Sequence, residues 1–343
     1  MTMADSLSVV STFSGPGGSS LGYKRAGHDV LAAVDCAPET FTDYILDTYR
    51  ANHPHTPLLE RDIRGITGDD ILDVIGLDVG ELDILDGAPP CSPFSTANST
   101  GERGPQHASG TLFDEYARLV DELNPRYFVA ENVQKLAEGD TKGYFRDLCT
   151  RLETMGDGYD LTVHKLDAAY LGSPHHRRRL IFVGTRRGEP QPAPLEYEAA
   201  IPLKHTLKHI DQTREDVRIA REKLDESANA AGYKLIDPGR KLWHVLEHED
   251  RGWTHRRLDL GKPAPNPTSV VELLHPTENR FLTIPELRAI IGLPDDYALA
   301  PPDGSFNQQW ECAIRCLPPS LLERISDSIA NPVSTPVSSA DDD

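Results

Sequence analysis

Cysteine is scarce and unpaired in this 343-residue chain: Cys36, Cys91, Cys149, Cys312 and Cys316 are all it has, and no two show C-x-x-C spacing. That suggests neither a disulfide framework nor a structural zinc site, and no metal is expected. Cys312 and Cys316 lie one helical turn apart and read as packing residues. No run of about 18 apolar residues occurs, and no basic, apolar leader opens the chain, which argues against membrane insertion and export. A cytoplasmic protein is expected. Basic residues are short too: 35 Lys and Arg stand against 54 Asp and Glu, a formal charge of −19. Indiscriminate binding to polyanions needs a basic surface and is excluded, whereas a local basic cleft is not. A surface this acidic suits a high-salt medium, and loss of folding at low salt is the test of that reading.

What is present is a rhythm. From Leu7 to Gly184 short apolar runs alternate with helix-like stretches: SVVSTF, SSLGYKRAG, HDVLAAVD, a helical segment from Pro38 to Arg50, ELDILDG, TLFDEYARLVDELN, RYFVAEN, YFRDLCTRLETMG, YDLTVHKLD and RRLIFVGT. Strand-helix-strand at this spacing predicts an α/β, doubly wound, mostly parallel sheet, which binds ligands outside the carboxyl ends of its strands. Residues 1–187 form this unit. After it GEPQPAPLEYEAAIP is proline-rich and the rhythm is lost, so 188–275 reads as an inserted smaller domain. Helical pattern returns over 276–330, as LTIPELRAIIG and PPSLLERISDSIA, and the polar residues 331–343 read as a disordered tail.

Four stretches carry chemistry. TFSGPGGSSLGYKRAG sets Gly15, Gly17 and Gly18 between a strand and a helix, where backbone comes close to a ligand and free amides meet an anion. The spacing is GxGG, not the GxGxxG of dinucleotide sites. Asp35 ends the next strand, where a carboxylate can hold the two hydroxyls of a ribose. Together they suit an adenosine-containing cofactor without a pyrophosphate; alone, either is a turn or a surface acid. LDILDGAPPCSPFS places Cys91 behind Pro89 and Pro90, on a stiff turn rather than inside a strand. Glu131 closes RYFVAENV as a partly buried carboxyl or a helix cap. In SPHHRRRLIFVG, Arg177 and Arg179 share one face of a strand and Arg178 takes the other. They form either a solvated edge or two guanidinium groups aimed into the cleft.

In combination these residues resemble the DNA (cytosine-5)-methyltransferase family. TFSGPGG resembles its cofactor loop, Asp35 and Asp62 (in ERDI) its next cofactor contacts, and APPCSPFS its catalytic Pro-Cys loop. ENV at 131–133, SPHHRRR at 173–179 and NRFLTIPELRAIIGLPDDY at 279–297 follow in the family's order, so the resemblance spans nearly the whole chain except 188–270. It implies a Rossmann-like S-adenosylmethionine-dependent methyltransferase fold. It further implies a thiolate, Cys91, adding to carbon 6 of a flipped-out cytosine while Glu131 hydrogen-bonds N3, with Arg179 and Arg177 holding the base's carbonyl. Phe13, Gly15, Gly17, Gly18, Asp35, Asp62 and Pro90 would border S-adenosylmethionine, with Pro90, Ser92 and Asn132 also at the substrate.

The resemblance makes residues 188–275 the target-recognition domain and duplex DNA the partner. Residues 201–275 hold 13 Lys/Arg against 12 Asp/Glu, a net of +1 in a chain of −19, which makes them the electropositive part. Arg240, Lys241, Arg256 and Arg257, mixed with Trp243 and Trp253, suit phosphates and base edges. A cognate restriction endonuclease is a possible companion, and a monomer is expected. Three departures stand out against the family: Ser92 and His175 each replace a usual Gln, and Ile314-Arg315 replaces a usual Gly-Asn. Other readings are a transfer-RNA cytosine methyltransferase, whose Cys-Phe-Thr signature is absent from the sequence, a catalytically silent DNA-binding homologue, and, most distantly, a nicotinamide-dependent dehydrogenase.

Overall fold

Among the described residues, seven strands build one sheet: β1 (Ser8–Thr12), β2 (Asp29–Asp35), β3 (Leu58–Glu60), β4 (Ile84–Gly87), β5 (Tyr127–Asn132), β6 (Tyr159–Asp167) and β7 (Arg178–Arg186). The computed structural model describes residues 6–36, 44–90, 111–227, 230–241, 255–269, 273–301 and 303–332. Strand order is β3-β2-β1-β4-β5-β7-β6. The first five strands are parallel, and β7 runs antiparallel between β5 and β6. This is the expected doubly wound, mostly parallel sheet.

Helices α1 (Gly18–Arg25), α2 (Tyr44–Asn52), α3 (Gly68–Ile75), α4 (Thr111–Leu123) and α5 (Lys142–Leu152) connect the strands. The helix expected from Pro38 begins, within the described residues, at Tyr44. Central strands are apolar on both faces because both are covered: β4 is buried throughout, and in β5 only Glu131 is not. Alternation then divides the core. Val10, Leu85, Phe128, Ala130 and Phe182 face α3, α4 and α5, while Val9, Ile84, Val129 and Ile181 face the other way.

That second face is covered from the far end of the chain. Beyond β7 come α6 (Leu203–Thr206), α7 (Arg214–Asp225), α8 (Ala230–Tyr233), the short parallel pair β8 (Arg256–Arg257) and β9 (Leu273–Leu274), then α9 (Ile284–Ile291), α10 (Phe306–Arg315) and α11 (Pro319–Ala330). Leu321, Leu322, Ile325 and Ile329 of α11 are buried on the sheet beside Tyr23 of α1. Each such side chain contributes about 1.5–3 kcal/mol by leaving water, so α11 is part of the core rather than an appendage. Gly22 permits the contact, since a Cβ there would sit 2.5 Å from the Pro319 carbonyl oxygen.

The insert does not stand apart from the C-terminal block. Leu203, Leu258 and Leu273 pack with Leu282, Leu287, Ile290 and Trp310, and a smaller cluster joins Leu224, Tyr233 and Ile236 to Phe281. Cys312 and Cys316 are buried in the first of these, the packing role expected of them. Arg280 and Glu286 close the α9 entry as a bidentate pair at 2.7 and 2.8 Å, with side chains 0% and 3% exposed. Glu286 also accepts the Thr283 amide in the capping box that starts α9.

Candidate active site

Strand order reverses between β1 and β4, and the crevice at such a reversal is where doubly wound sheets bind ligands. The glycine turn follows β1 and leads into α1. Phe13 and Gly15 take left-handed backbone (φ +53° each), as does Gly17 (φ +97°), which precedes the first turn of α1 without any side-chain cap. Non-glycine residues rarely adopt this region, so the turn at Phe13 is a strained one. A Cβ on Gly15 would meet nothing within 4 Å, which leaves that side of the turn open. Gly18 is packed from behind, where a Cβ would lie 2.4 Å from the Leu317 carbonyl oxygen.

Asp35 ends β2 beside this turn. Its carboxylate accepts the Gly15 amide at 2.6 Å and the Cys36 amide at 2.7 Å. Burial pushes its carboxyl up to about 6, opposed by those two amides and by the positive charge of Arg315. Asp62 caps a 3-10 turn, Ile63–Gly65, by accepting the Arg64 amide at 2.9 Å, and is half exposed.

Across the reversal, β4 runs into Pro89 and Pro90. Cys91, Ser92, Phe94, Ser95 and the rest of 91–110 lie outside the described residues, as do Trp243 and Trp253. Asn132, at the end of β5, donates from Nδ2 to the Pro89 carbonyl oxygen at 3.4 Å, tying the ENV segment to the start of the cysteine loop. Glu131 precedes it and is ion-paired through Oε1 with Nε of Arg179; both side chains are largely buried. Pairing of β5 with β7 sets this contact by placing Glu131 opposite Ile181 and Asn132 opposite Leu180.

Arg177 is 8% exposed and donates to the Ile314 carbonyl oxygen at 2.9 Å. Burial, helped by the charge of Arg179 and opposed by Glu131, lowers it to about 9. Arg178 points the other way, 69% exposed and paired with Asp167. Of the two departures within reach, His175 is fully buried, held by Ser173 Oγ and the Ile290 carbonyl (both 2.9 Å), and lowered by burial to about 3. His176 bonds Asp167 at 2.9 Å.

In the insert, Arg240 is exposed and Arg256 half-buried, and a backbone bridge joins Lys241 to Arg256. Arg257 corrects the expectation of a DNA contact. It is 5% exposed, and its five N–H donors are taken by the carbonyls of Ile236 (2.6 Å), His275 (2.9 Å), Glu278 (2.7 Å) and Tyr233 (3.1 Å) and by Asn279 Oδ1 (2.8 Å). A saturated guanidinium has nothing left for a phosphate.

One buried acid escaped the sequence reading. Asp86, 3% exposed in β4, accepts Ser11 Oγ at 2.9 Å, Tyr23 OH at 3.2 Å and a shorter bond from Ser19 Oγ in the first turn of α1. Burial pushes it up to about 6 against those three hydroxyls. Its only signal in the sequence is an acid inside an otherwise apolar strand.

A parallel sheet with its order reversed at β1/β4, a glycine turn, an acid ending β2, and a carboxylate–guanidinium pair beyond a Pro-Pro turn define an α/β protein with a ligand crevice at the reversal. Solved structures with this fold include a putative DNA modification methyltransferase encoded within an E. coli prophage (TM-score 0.73, 22% identity, covering 94% of this chain and 98% of that one). A Spodoptera frugiperda DNMT2 variant matches with a TM-score of 0.65 at 16% identity, covering 95% of this chain and 100% of that one. The family model for C-5 cytosine-specific DNA methylase matches residues 7–331. The chain is 28% identical over 345 residues to type II methyltransferase M1.HphI of Haemophilus parahaemolyticus, covering 94% of this chain and 87% of that protein. It is 36% identical over 270 residues to M.SacI of Streptomyces achromogenes, covering 73% and 68%. The chain therefore belongs to the C-5 cytosine-specific DNA methylase family, and it is a DNA cytosine-5 methyltransferase. Membership implies use of a methyl donor, and no helix among the described residues is long and apolar enough to cross a membrane.

Proposed function

We propose that the protein methylates a cytosine flipped out of a specific duplex DNA sequence, with Cys91 as nucleophile, Glu131 and Arg179 on the base, and S-adenosylmethionine as donor. The observation that carries this is the Glu131–Arg179 pair, buried at the strand ends and tied through Asn132 and Pro89 to the cysteine loop. Carbon 5 of cytosine is a poor nucleophile until the ring gains electrons. Addition of the Cys91 thiolate to carbon 6 supplies them, with Glu131 hydrogen-bonding N3 and Arg179 offsetting negative charge on the base's carbonyl. Arg177, which donates from one terminal nitrogen to the Ile314 carbonyl oxygen, holds positive charge near this pair.

The residues present fit the cofactor. Gly15 leaves an open face, Ser14 Oγ is buried without a partner, and Asp35 keeps acceptor capacity beyond its two amides. Phe13, Gly15, Gly17, Gly18, Asp35, Asp62 and Pro90 would hold it. When bound, S-adenosylmethionine supplies an electrophilic methyl group on a positive sulfonium. Residues 188–275 act as the target-recognition domain, with Arg240, Lys241 and Arg256 toward phosphates or base edges. Its work in restriction-modification, beside a cognate endonuclease, fits the type II names of the relatives, and the enzyme is taken to be monomeric and cytoplasmic.

The test supplies labelled S-adenosylmethionine with methylation-free duplex DNA or with transfer RNA. Label is expected in DNA alone, and a 5-fluorocytosine duplex is expected to form a covalent adduct that Cys91→Ser does not. Label in neither acid, or an adduct with the serine variant, overturns the reading.

A further inference from the structure

Two side chains from opposite ends of the chain grip the back of the glycine turn. Tyr297 OH donates to the Pro16 carbonyl oxygen at 2.6 Å, and His53 Nε2 lies 3.0 Å from the carbonyl oxygen of Gly17, the next residue. The acceptor on Gly17 fixes the imidazole tautomer. Nε2 must carry the proton, so Nδ1 accepts, and its partner is a donor: Lys24 Nζ at 3.2 Å, itself held by Thr56 Oγ1 at 2.9 Å. His53 is 2% exposed and Tyr297 4%. Burial, with the Lys24 charge in support, lowers His53 to about 4, so the ring stays neutral at physiological pH. A Cβ on Gly17 would lie 2.4 Å from His53 Nε2 and 2.9 Å from Tyr297 OH, which shows how closely both groups press on the turn.

We propose that His53 and Tyr297 are positioning residues for cofactor binding: they hold the Pro16 and Gly17 carbonyls to the rear, so the turn and the uncapped first amides of α1 are preset for the ligand. Neither residue need touch it. Left-handed backbone at Gly17 is open to many glycine conformers, and the two donors select one before the ligand arrives. Tyr297 also belongs to the cluster that packs Leu258 and Leu273 of the insert, so the C-terminal block shapes the N-terminal pocket.

This rests on the reading of the turn as an S-adenosylmethionine site, and the experiment separates the two. Full-length wild type, Tyr297→Phe, His53→Leu and His53→Gln are titrated with S-adenosylmethionine by calorimetry, and their KM and kcat are measured on methylation-free genomic DNA. Tyr297→Phe and His53→Leu should each raise Kd and KM for S-adenosylmethionine about fivefold to tenfold, the worth of one hydrogen bond. kcat at saturating cofactor and the KM for DNA should change less than about twofold. His53→Gln, which can donate to Gly17 from its amide, should recover most of the affinity. Unchanged cofactor affinity in Tyr297→Phe and His53→Leu overturns the proposal, as does a parallel fall of kcat and DNA affinity or a Gln variant no better than Leu. A wild type that binds no S-adenosylmethionine overturns the underlying site assignment instead.

Discussion

Replacing Asp86 by asparagine should make folding stability less sensitive to rising pH. The wild-type carboxyl is buried in β4, and that burial pushes it from 3.8 up to about 6 despite hydroxyl donors on Ser19, Ser11 and Tyr23. In the unfolded chain it ionises near 4. Between these values the folded state keeps a proton that the unfolded state has lost. Stability therefore falls as pH rises from about 4 to about 6, and the full cost stands above 6. Two units at 1.36 kcal/mol each come to about 3 kcal/mol. Asparagine carries no charge to desolvate, and the serine and tyrosine hydroxyls can turn to meet either amide atom. Urea unfolding of both proteins from about pH 4 to about pH 7 measures the difference. Titrating groups that have no charge interaction with Asp86, Asp35 among them, cancel in that difference. It should move by about 3 kcal/mol in favour of the variant as pH rises. A difference that stays flat, or moves the other way, refutes the argument: three hydroxyls would then hold the carboxylate as well as water does.

Asp35 should make cofactor affinity fall as pH drops through about 6, because its carboxylate is the form that accepts hydroxyls; titration calorimetry of wild type against Asp35→Asn should show that pH dependence only in the former. Arg257→Met should destabilise the fold by about 3 kcal/mol or more through five carbonyl and amide acceptors left bare, read as a lower urea midpoint. Arg240→Ala, on the surface, should instead leave the midpoint in place and lower the salt dependence of DNA binding by about one counterion. Glu286→Gln takes the buried one of two anions from Arg280, leaving it Glu278 at 3.0 Å, and should cost about 1.5–3 kcal/mol in the same unfolding assay.

The order of elements was legible because it rests on local pattern. Apolar runs such as IFVG and YFVA are continuous, as strands covered on both faces must be, and the glycine turn and Pro-Pro turn announce themselves by residue type. The place of Glu131 and Arg179 at strand ends followed from the same pattern, and the sheet register brings the two together. Side-chain direction in the insert was not legible. Arg240, Lys241, Arg256 and Arg257 look alike as a basic cluster, yet Arg257 turns inward to acceptors on residues 233, 236, 275, 278 and 279, up to 24 positions away. No periodicity encodes a contact of that kind, because it depends on where a loop returns.

Ile314 and Arg315, which depart from the family's usual Gly-Asn, divide into two cases by the same reasoning. At Ile314 the group in use is a backbone carbonyl, accepting from Arg177 at 2.9 Å, and every residue type offers one. The side-chain change there leaves this bond intact. At Arg315 the side chain itself matters: its guanidinium bonds Glu311 at 2.7 Å and its charge draws the Asp35 carboxyl downward against burial. Arginine at this position therefore favours the ionised form of the residue proposed to hold the ribose. Arg315→Asn, the family's usual residue, should push the Asp35 carboxyl higher and move the pH dependence of cofactor binding to higher pH. The same calorimetric titration reads it, and an unmoved pH profile would show that Glu311 neutralises Arg315 completely.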